Sequence, residues 1–260
     1  MRSRTRPAVV LLVGFFLVAM IPARAGLVGF YQFNDPSDLG LDSSSNHNNL
    51  ITFGSGVSYT AAGDFGGGLA LLGGGGLTTL TGTVPNGFPL GNADYTISAD
   101  FETTSFGTSG IIGWGNYGIV DQVNALRLLA GVGFRHYWWA DDLDATAPSA
   151  TNGQWHNVTV TFDGTTRDLY YDGVLLASDT PGGVHDTQNE NFAIGVTNFS
   201  EDFIGTLDNV AVFNQALNAG QVATIAAGNF SAFGVVPEPA SAALLGAGFA
   251  ALALLRRRKG

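Results

Sequence analysis

An all-β sandwich of two antiparallel sheets is what the sequence predicts, and three observations carry it. From Gly26 to about Phe213 nearly every apolar run is short and closed by Gly, Asn, Asp or Pro. Glycine fills 37 of 260 positions without a strict period, about twice the usual ~7 %, as a chain of many tight turns requires. The stretch QWHNVTVTFDGTTRDLYYDGVLLAS alternates with a period of two and is broken twice by Asp-Gly, at Asp163-Gly164 and Asp172-Gly173. Asp-Gly supplies the positive φ that a hairpin turn needs, so the stretch is a three-strand meander.

Taken in order, the strands are expected at Leu27–Phe33, Leu69–Leu72, Tyr95–Glu102, Ile111–Trp114, Ala125–Ala130 and Gly133–Trp139. The meander comes next, then Ala193–Val196 and Phe203–Phe213. Helical signal within the body is nearly confined to Ala216–Ala227. The Gly73–Gly76 run lacks the Lys-Ser/Thr and the helix that a phosphate loop needs, and is a glycine-rich strand connection.

The two ends have a different composition. Arg2, Arg4 and Arg6 precede an apolar run from Val9 to Ile21 and an Ala23-Arg24-Ala25 cleavage pattern, which together describe a secretory signal peptide over residues 1–25. At the other end Pro237-Glu238-Pro239 precedes the uncharged run Ala240–Leu255 and Arg256-Arg257-Arg258-Lys259. Such a run suits a short transmembrane helix, and the cations behind it keep the C-terminus in the cytoplasm and the body outside.

These ends hold eight of the 11 cations. Between Gly26 and Val236 only Arg127, Arg135 and Arg167 remain against 20 carboxylates, a net charge of −17. That surface repels nucleic acid and anionic lipid, and is compatible with neutral sugars or divalent cations. With no cysteine, the exported body has no disulfide support and relies on a large core or a bound metal.

Several segments, in order, resemble the laminin-G-like (concanavalin A-like) jelly-roll domains of bacterial surface proteins. LVGFYQFNDPSDLGLDSSSNHNNL resembles the family's first strand and its Asp-Ser-rich loop. ADFGGGLALLGGGGLTTL, DYTISADFETT and IIGWG resemble the family's next strands. QWHNVTVTFDGTTRDLYYDGVLLA is similar to its Trp-His meander, and NFAIGVTNFSEDFIGTLDNVAVFNQALNAGQV to its closing strand and short helix. The tail resembles the PEP-CTERM sorting signal, with Pro237, Glu238 and Pro239 as the motif that an exosortase recognises. The implied organisation is a signal peptide over 1–25, a jelly-roll domain over 26–228, a linker over 229–236 and a sorting signal over 237–260.

In many relatives an aspartate in the closing strand meets oxygen ligands of the N-terminal loop at a structural calcium. The resemblance therefore implies Asp208 and Asp35 as calcium ligands, with loop carbonyls completing the shell. Alternation along 205–210 places Leu207 and Asn209 on one side and Asp208 and Val210 on the other, which sets a carboxylate toward the apolar side. The competing reading is that Asp208 caps a turn or accepts backbone hydrogen bonds.

For a ligand, the candidates are Arg135, Tyr137, Trp138, Trp139 and Asp141, since sugars stack on aromatic faces while charged and amide groups bond their hydroxyls. Alternation divides Tyr137 and Trp139 from His136 and Trp138, and one of those faces belongs to the core. His156 is expected as a hydrogen-bonded histidine on the face of Val158, Val160 and Phe162. No pair of carboxylates has the spacing of a sandwich glucanase.

The expectation is thus a non-catalytic, exported, lectin-like protein of a Gram-negative bacterium that binds or organises extracellular polysaccharide. Its processing partners are signal peptidase and exosortase, its contact with the inner membrane is transient, and nucleic acid is excluded. A structural matrix protein without specific glycan binding and a divergent glycoside hydrolase are the alternatives.

Overall fold

The computed structural model describes residues 26–233. The signal peptide expected over 1–25, the Pro237-Glu238-Pro239 motif and the apolar and basic tail lie outside these residues. In chain order the first strands are β1 (Leu27–Tyr31), β2 (Ile51–Gly54), β3 (Val57–Thr60), β4 (Gly68–Leu72) and β5 (Gly75–Thr78). Next come β6 (Tyr95–Glu102), β7 (Ser109–Gly115), β8 (Val123–Leu129), β9 (Gly133–Tyr137) and β10 (Leu143–Thr146). The meander is β11 (Trp155–Phe162), β12 (Arg167–Tyr171) and β13 (Val174–Asp179). The chain closes with β14 (Ala193–Ile194), β15 (Val196–Thr197), β16 (Glu201–Asp202), β17 (Ile204–Phe213) and the helix α1 (Ala219–Ala226).

These strands form two antiparallel sheets. The first runs β13-β12-β11-β6-β17-β4-β3, with β1 also paired to β17, and the second runs β10-β9-β8-β7-β14-β5-β2. The expected sandwich is therefore present, and the meander pairs as the two Asp-Gly turns require. The run Gly73–Gly76 carries the chain from β4 in the first sheet to β5 in the second.

Between the sheets lies the main core. Tyr95, Ile97, Ala99 and Phe101 of β6 face Leu126, Leu128 and Phe134 of the other sheet, and Phe101 meets Phe134 edge to face. A second, smaller core covers the outside of the first sheet, where Val222 and Ile225 of α1 pack with Phe30, Ala211, Phe213, Phe230 and Phe233. Asn218 starts that helix with a capping box closed by Gln221; the three residues expected before it, Ala216–Asn218, stay outside the helix.

Three expectations about strands are corrected. β9 stops at Tyr137 because Trp139 and Ala140 both take positive φ, 61° and 71°. Gly195, at φ 88°, splits the expected 193–196 strand into β14 and β15. In β17 Asn209 takes φ 45° and inserts a bulge between Asp208 and Ala211. The bulge breaks the alternation: Leu207 and Val210 both face the main core, and Asp208 points to the outside of the sheet.

Candidate functional site

The outer face of the first sheet is closed by α1 and, beside it, by a row of buried polar groups. Asp100 pairs in register with Asn157 on β11 and Asp208 on β17. Its two oxygens accept from Asn157 Nδ2 (2.7 Å) and Asn209 Nδ2 (3.0 Å). Burial pushes the Asp100 carboxyl up to about 8, against the pull of the two asparagine bonds, and that of Asp208 up to about 6.

Asp208 accepts from the backbone N–H of Phe65 (2.9 Å) and of Asn209 (2.7 Å). The loop 61–67 is thus held by Asp208 at one point and by Asn34 at another, whose Oδ1 accepts from Gly67 N at 2.6 Å. Asp35, the other expected metal ligand, accepts from Ser37 N and Oγ and makes no bond to Asp208. Among the described residues no group of three or more His, Cys, Asp or Glu side chains is arranged to hold a metal ion.

The predicted ligand residues do not form one surface. Trp138 is 2 % exposed; it stacks on His185 at 3.7 Å and carries the Arg167 guanidinium at 4.2 Å over its ring. It is a core residue, and this corrects its assignment as a ligand contact. Tyr137 lies on the opposite face, as alternation requires, but is buried beneath Arg127, whose guanidinium sits 3.7 Å above the ring. Arg135 is occupied by Asp144, through two bonds, and by Asp142. Of the set Trp139, 37 % exposed, and the half-buried Asp141 and Arg135 reach solvent, Arg135 with its guanidinium already engaged. His156 is half-buried between Asp172 (3.0 Å) and Asn152 (3.2 Å), a bonded structural histidine.

What the structure opens instead is a cleft of about 390 Å³ on the outer face of the second sheet. Inward-facing Leu77, Ile112 and Ile194 belong to the core, so their neighbours Thr78, Gly113 and Ala193 face outward. The ribbon of β15 and β16 folds onto this face over β7. Gly110 and Gly113 permit that approach: a Cβ on Gly110 would strike Thr197, and one on Gly113 would strike the Tyr117 hydroxyl.

Phe53, Tyr117 and Phe199 supply aromatic walls to the cleft, while Thr78, Asn191, Asn198 and Asp202 supply polar ones. Phe199 stands 73 % exposed at the tip of the ribbon. It and Asn198 hold positive φ, 60° and 46°, a costly conformation for a bulky residue that is tolerated where surroundings demand it. Behind the wall Tyr117 stacks on Tyr137, and Arg127 pairs with Glu201, which also accepts from Thr197 Oγ1 at 2.7 Å. Burial pushes the Tyr137 phenol up to about 12, so every phenol here stays neutral. The strand expected at Phe203–Phe213 leaves Glu201 and Asp202 outside it, whereas the structure places them in β16 beside the cleft. The available signal was Asn198-Phe199-Ser200, a large aromatic inside a tight polar turn.

A family model described as the concanavalin A-like lectin/glucanases superfamily matches residues 74–223, and one described as the PEP-CTERM protein-sorting motif matches residues 235–259. No curated protein matches. Among solved structures, domain 4 of AbnA, a GH43 extracellular arabinanase from Geobacillus stearothermophilus in complex with arabinotriose, is similar with a TM-score of 0.61 and 23 % identity, over 78 % of this chain and 99 % of that one. The binding domain of Paraclostridial mosquitocidal protein 1 follows at 0.60 and 15 %, over 79 % of this chain and 53 % of that one. A Trypanosoma rangeli sialidase in complex with 2,3-difluorosialic acid follows at 0.58 and 21 %, over 78 % of this chain and 33 % of that one. This chain thus spans about half of the toxin's binding domain and a third of the sialidase. At these identities the likeness shows the fold.

Proposed function

Because the chain belongs to the concanavalin A-like lectin/glucanases superfamily and ends in a protein-sorting motif, we propose that it is an exported, non-catalytic protein that binds extracellular polysaccharide through the cleft on its second sheet. The sorting motif implies export, a membrane-anchored C-terminal signal and processing by exosortase; signal peptidase as the first processing enzyme and a Gram-negative envelope complete the proposed route. Among the described residues no helix is long and apolar enough to cross a membrane.

The observation that carries the binding reading is the exposed aromatic on a strained turn beside hydroxyl and amide groups, the pairing that sugars use. The arabinotriose bound to the arabinanase domain lends the reading support at the level of fold. Hydrolysis is less well supported. The adjacent carboxylates of Asp100 and Asp208 are each 1 % exposed and bonded to amides, which leaves no room for a sugar between them. On a glycan array the secreted protein is expected to bind at least one polysaccharide. Phe199→Ala should weaken that binding roughly ten-fold, about 1.4 kcal/mol, with Tm unchanged. Wild-type affinity in the variant would remove the cleft from the site.

Calcium is a further proposal. Asp208, the Asn34 side chain and carbonyls of the 61–67 loop are the hard oxygen donors that calcium takes, and Asp35 is the further carboxylate that the resemblance implies. An ion there would offset the burial that raises the Asp208 carboxyl. The expected result is a higher Tm with calcium, reversed by chelator and abolished in Asp208→Asn; superimposable melts with and without chelator would remove the ion.

A further inference from the structure

The body's charge arrangement bears on what its cleft can hold. Residues 26–233 contain three cationic side chains, Arg127, Arg135 and Arg167, and each of them is already paired. Arg127 is held by Glu201, Arg135 by Asp142 and Asp144, and Arg167 by Asp179. Arg167 is also fully buried. A carboxylate, sulfate or phosphate entering the cleft therefore meets no uncommitted lysine or arginine among the described residues.

It meets negative charge instead. Asp202 lines the cleft, and Glu201 stands next to it on the same short strand with its charge neutralised by Arg127. The remaining polar lining, Thr78, Asn191, Thr197 and Asn198, is neutral. Hydroxyls and amides suit sugar hydroxyl groups equally well whether the sugar is charged or not, so they do not discriminate. The carboxylate at the rim does, because a concave wall of low dielectric strengthens a like-charge contact.

We infer that the cleft selects for charge: it admits neutral glycan chains and excludes polysaccharides bearing uronate, sulfate or phosphate groups. This rests on the reading of the cleft as a glycan site. Such a protein binds the uncharged component of a mixed extracellular polysaccharide and leaves the acidic component free.

The test uses a matched pair of ligands. A panel of neutral hexose polymers is screened with the secreted protein, and each polymer that binds is oxidised at its primary hydroxyls to carboxylates. The oxidised form is expected to bind about ten-fold more weakly or worse, with the difference shrinking as salt rises. Asp202→Asn should narrow the gap between the two forms. Glu201→Gln keeps the acceptor for Arg127 and Thr197 while releasing the arginine's charge, and should narrow it further. Equal or tighter binding of the oxidised polymer would overturn the charge selection and leave glycan binding standing. Failure to bind any polymer, neutral or acidic, would sink the glycan reading and this inference with it.

Discussion

Trp138→Ala is expected to cost about 3–5 kcal/mol, the range for emptying a large aromatic site in a packed core. In a body of this size that lowers Tm by on the order of 10 °C. Four partners lose their contact at once: His185 stacked on one face, the Arg167 guanidinium over the ring, and Phe162 and His136 edge-on at 5.0 and 5.8 Å. Arg167 is the serious loss, since it is fully buried and its other support is Asp179 together with the Asp141 carbonyl. Trp139→Ala, one residue on, should change stability by no more than about 0.5 kcal/mol. Its side chain is exposed, and alanine meets the same positive φ that tryptophan already holds. Thermal melts of both variants check this, together with glycan binding of the folded fraction. A Trp138 variant of unchanged Tm that had lost glycan binding would return this tryptophan to the ligand surface.

The second large effect is a loss of stability on mild alkalinisation. Asp100 titrates near 8 in the fold and near 4 in an unfolded chain. Between those values the folded form holds a proton that the unfolded chain has released, so stability falls as pH rises through this window, by about 1.4 kcal/mol per unit. Asp208, raised to about 6, acts in the same direction between about pH 4 and 6. Two buried histidines act in the opposite direction. Burial and the Arg167 charge hold His136 well below its ordinary value and His185 down to about 3, so acidification below about 6.5 favours the unfolded chain.

The opposed groups largely cancel between pH 4 and 6, and above 6.5 Asp100 acts with little opposition. Tm is therefore expected to be highest near pH 6 to 6.5 and to fall by pH 8, a loss on the order of 2 kcal/mol. Asp100→Asn mimics the protonated acid and should flatten that decline. A Tm that holds steady from pH 6.5 to 8.5 in the wild-type protein would show that Asp100 is an ordinary ionised carboxylate.

Much of the architecture was legible because local chemistry and tertiary pairing agree. The Asp-Gly turns at 163–164 and 172–173 leave one way to pair Trp155–Phe162 with Arg167–Tyr171, and Arg167–Tyr171 with Val174–Asp179, and both pairings are observed. The bulge was not legible, because Asn209 is an ordinary residue in an alternating strand until its positive φ is seen. A single inserted residue moves Val210 into the core and turns Asp208 away from it. The cleft was illegible for a different reason. Phe53, Tyr117 and Phe199 stand far apart in sequence and meet because the order β7-β14-β5-β2 and the ribbon over β7 bring them together. Whether an arginine is free or already paired is also a fact of three-dimensional arrangement, and spacing alone does not show it.

The second, smaller core has a bearing on how the body is presented. Phe230 and Phe233 pack on Phe30 and Phe213 outside the first sheet, and the cleft opens outside the second. The last described residues therefore end on the face of the sandwich opposite the cleft.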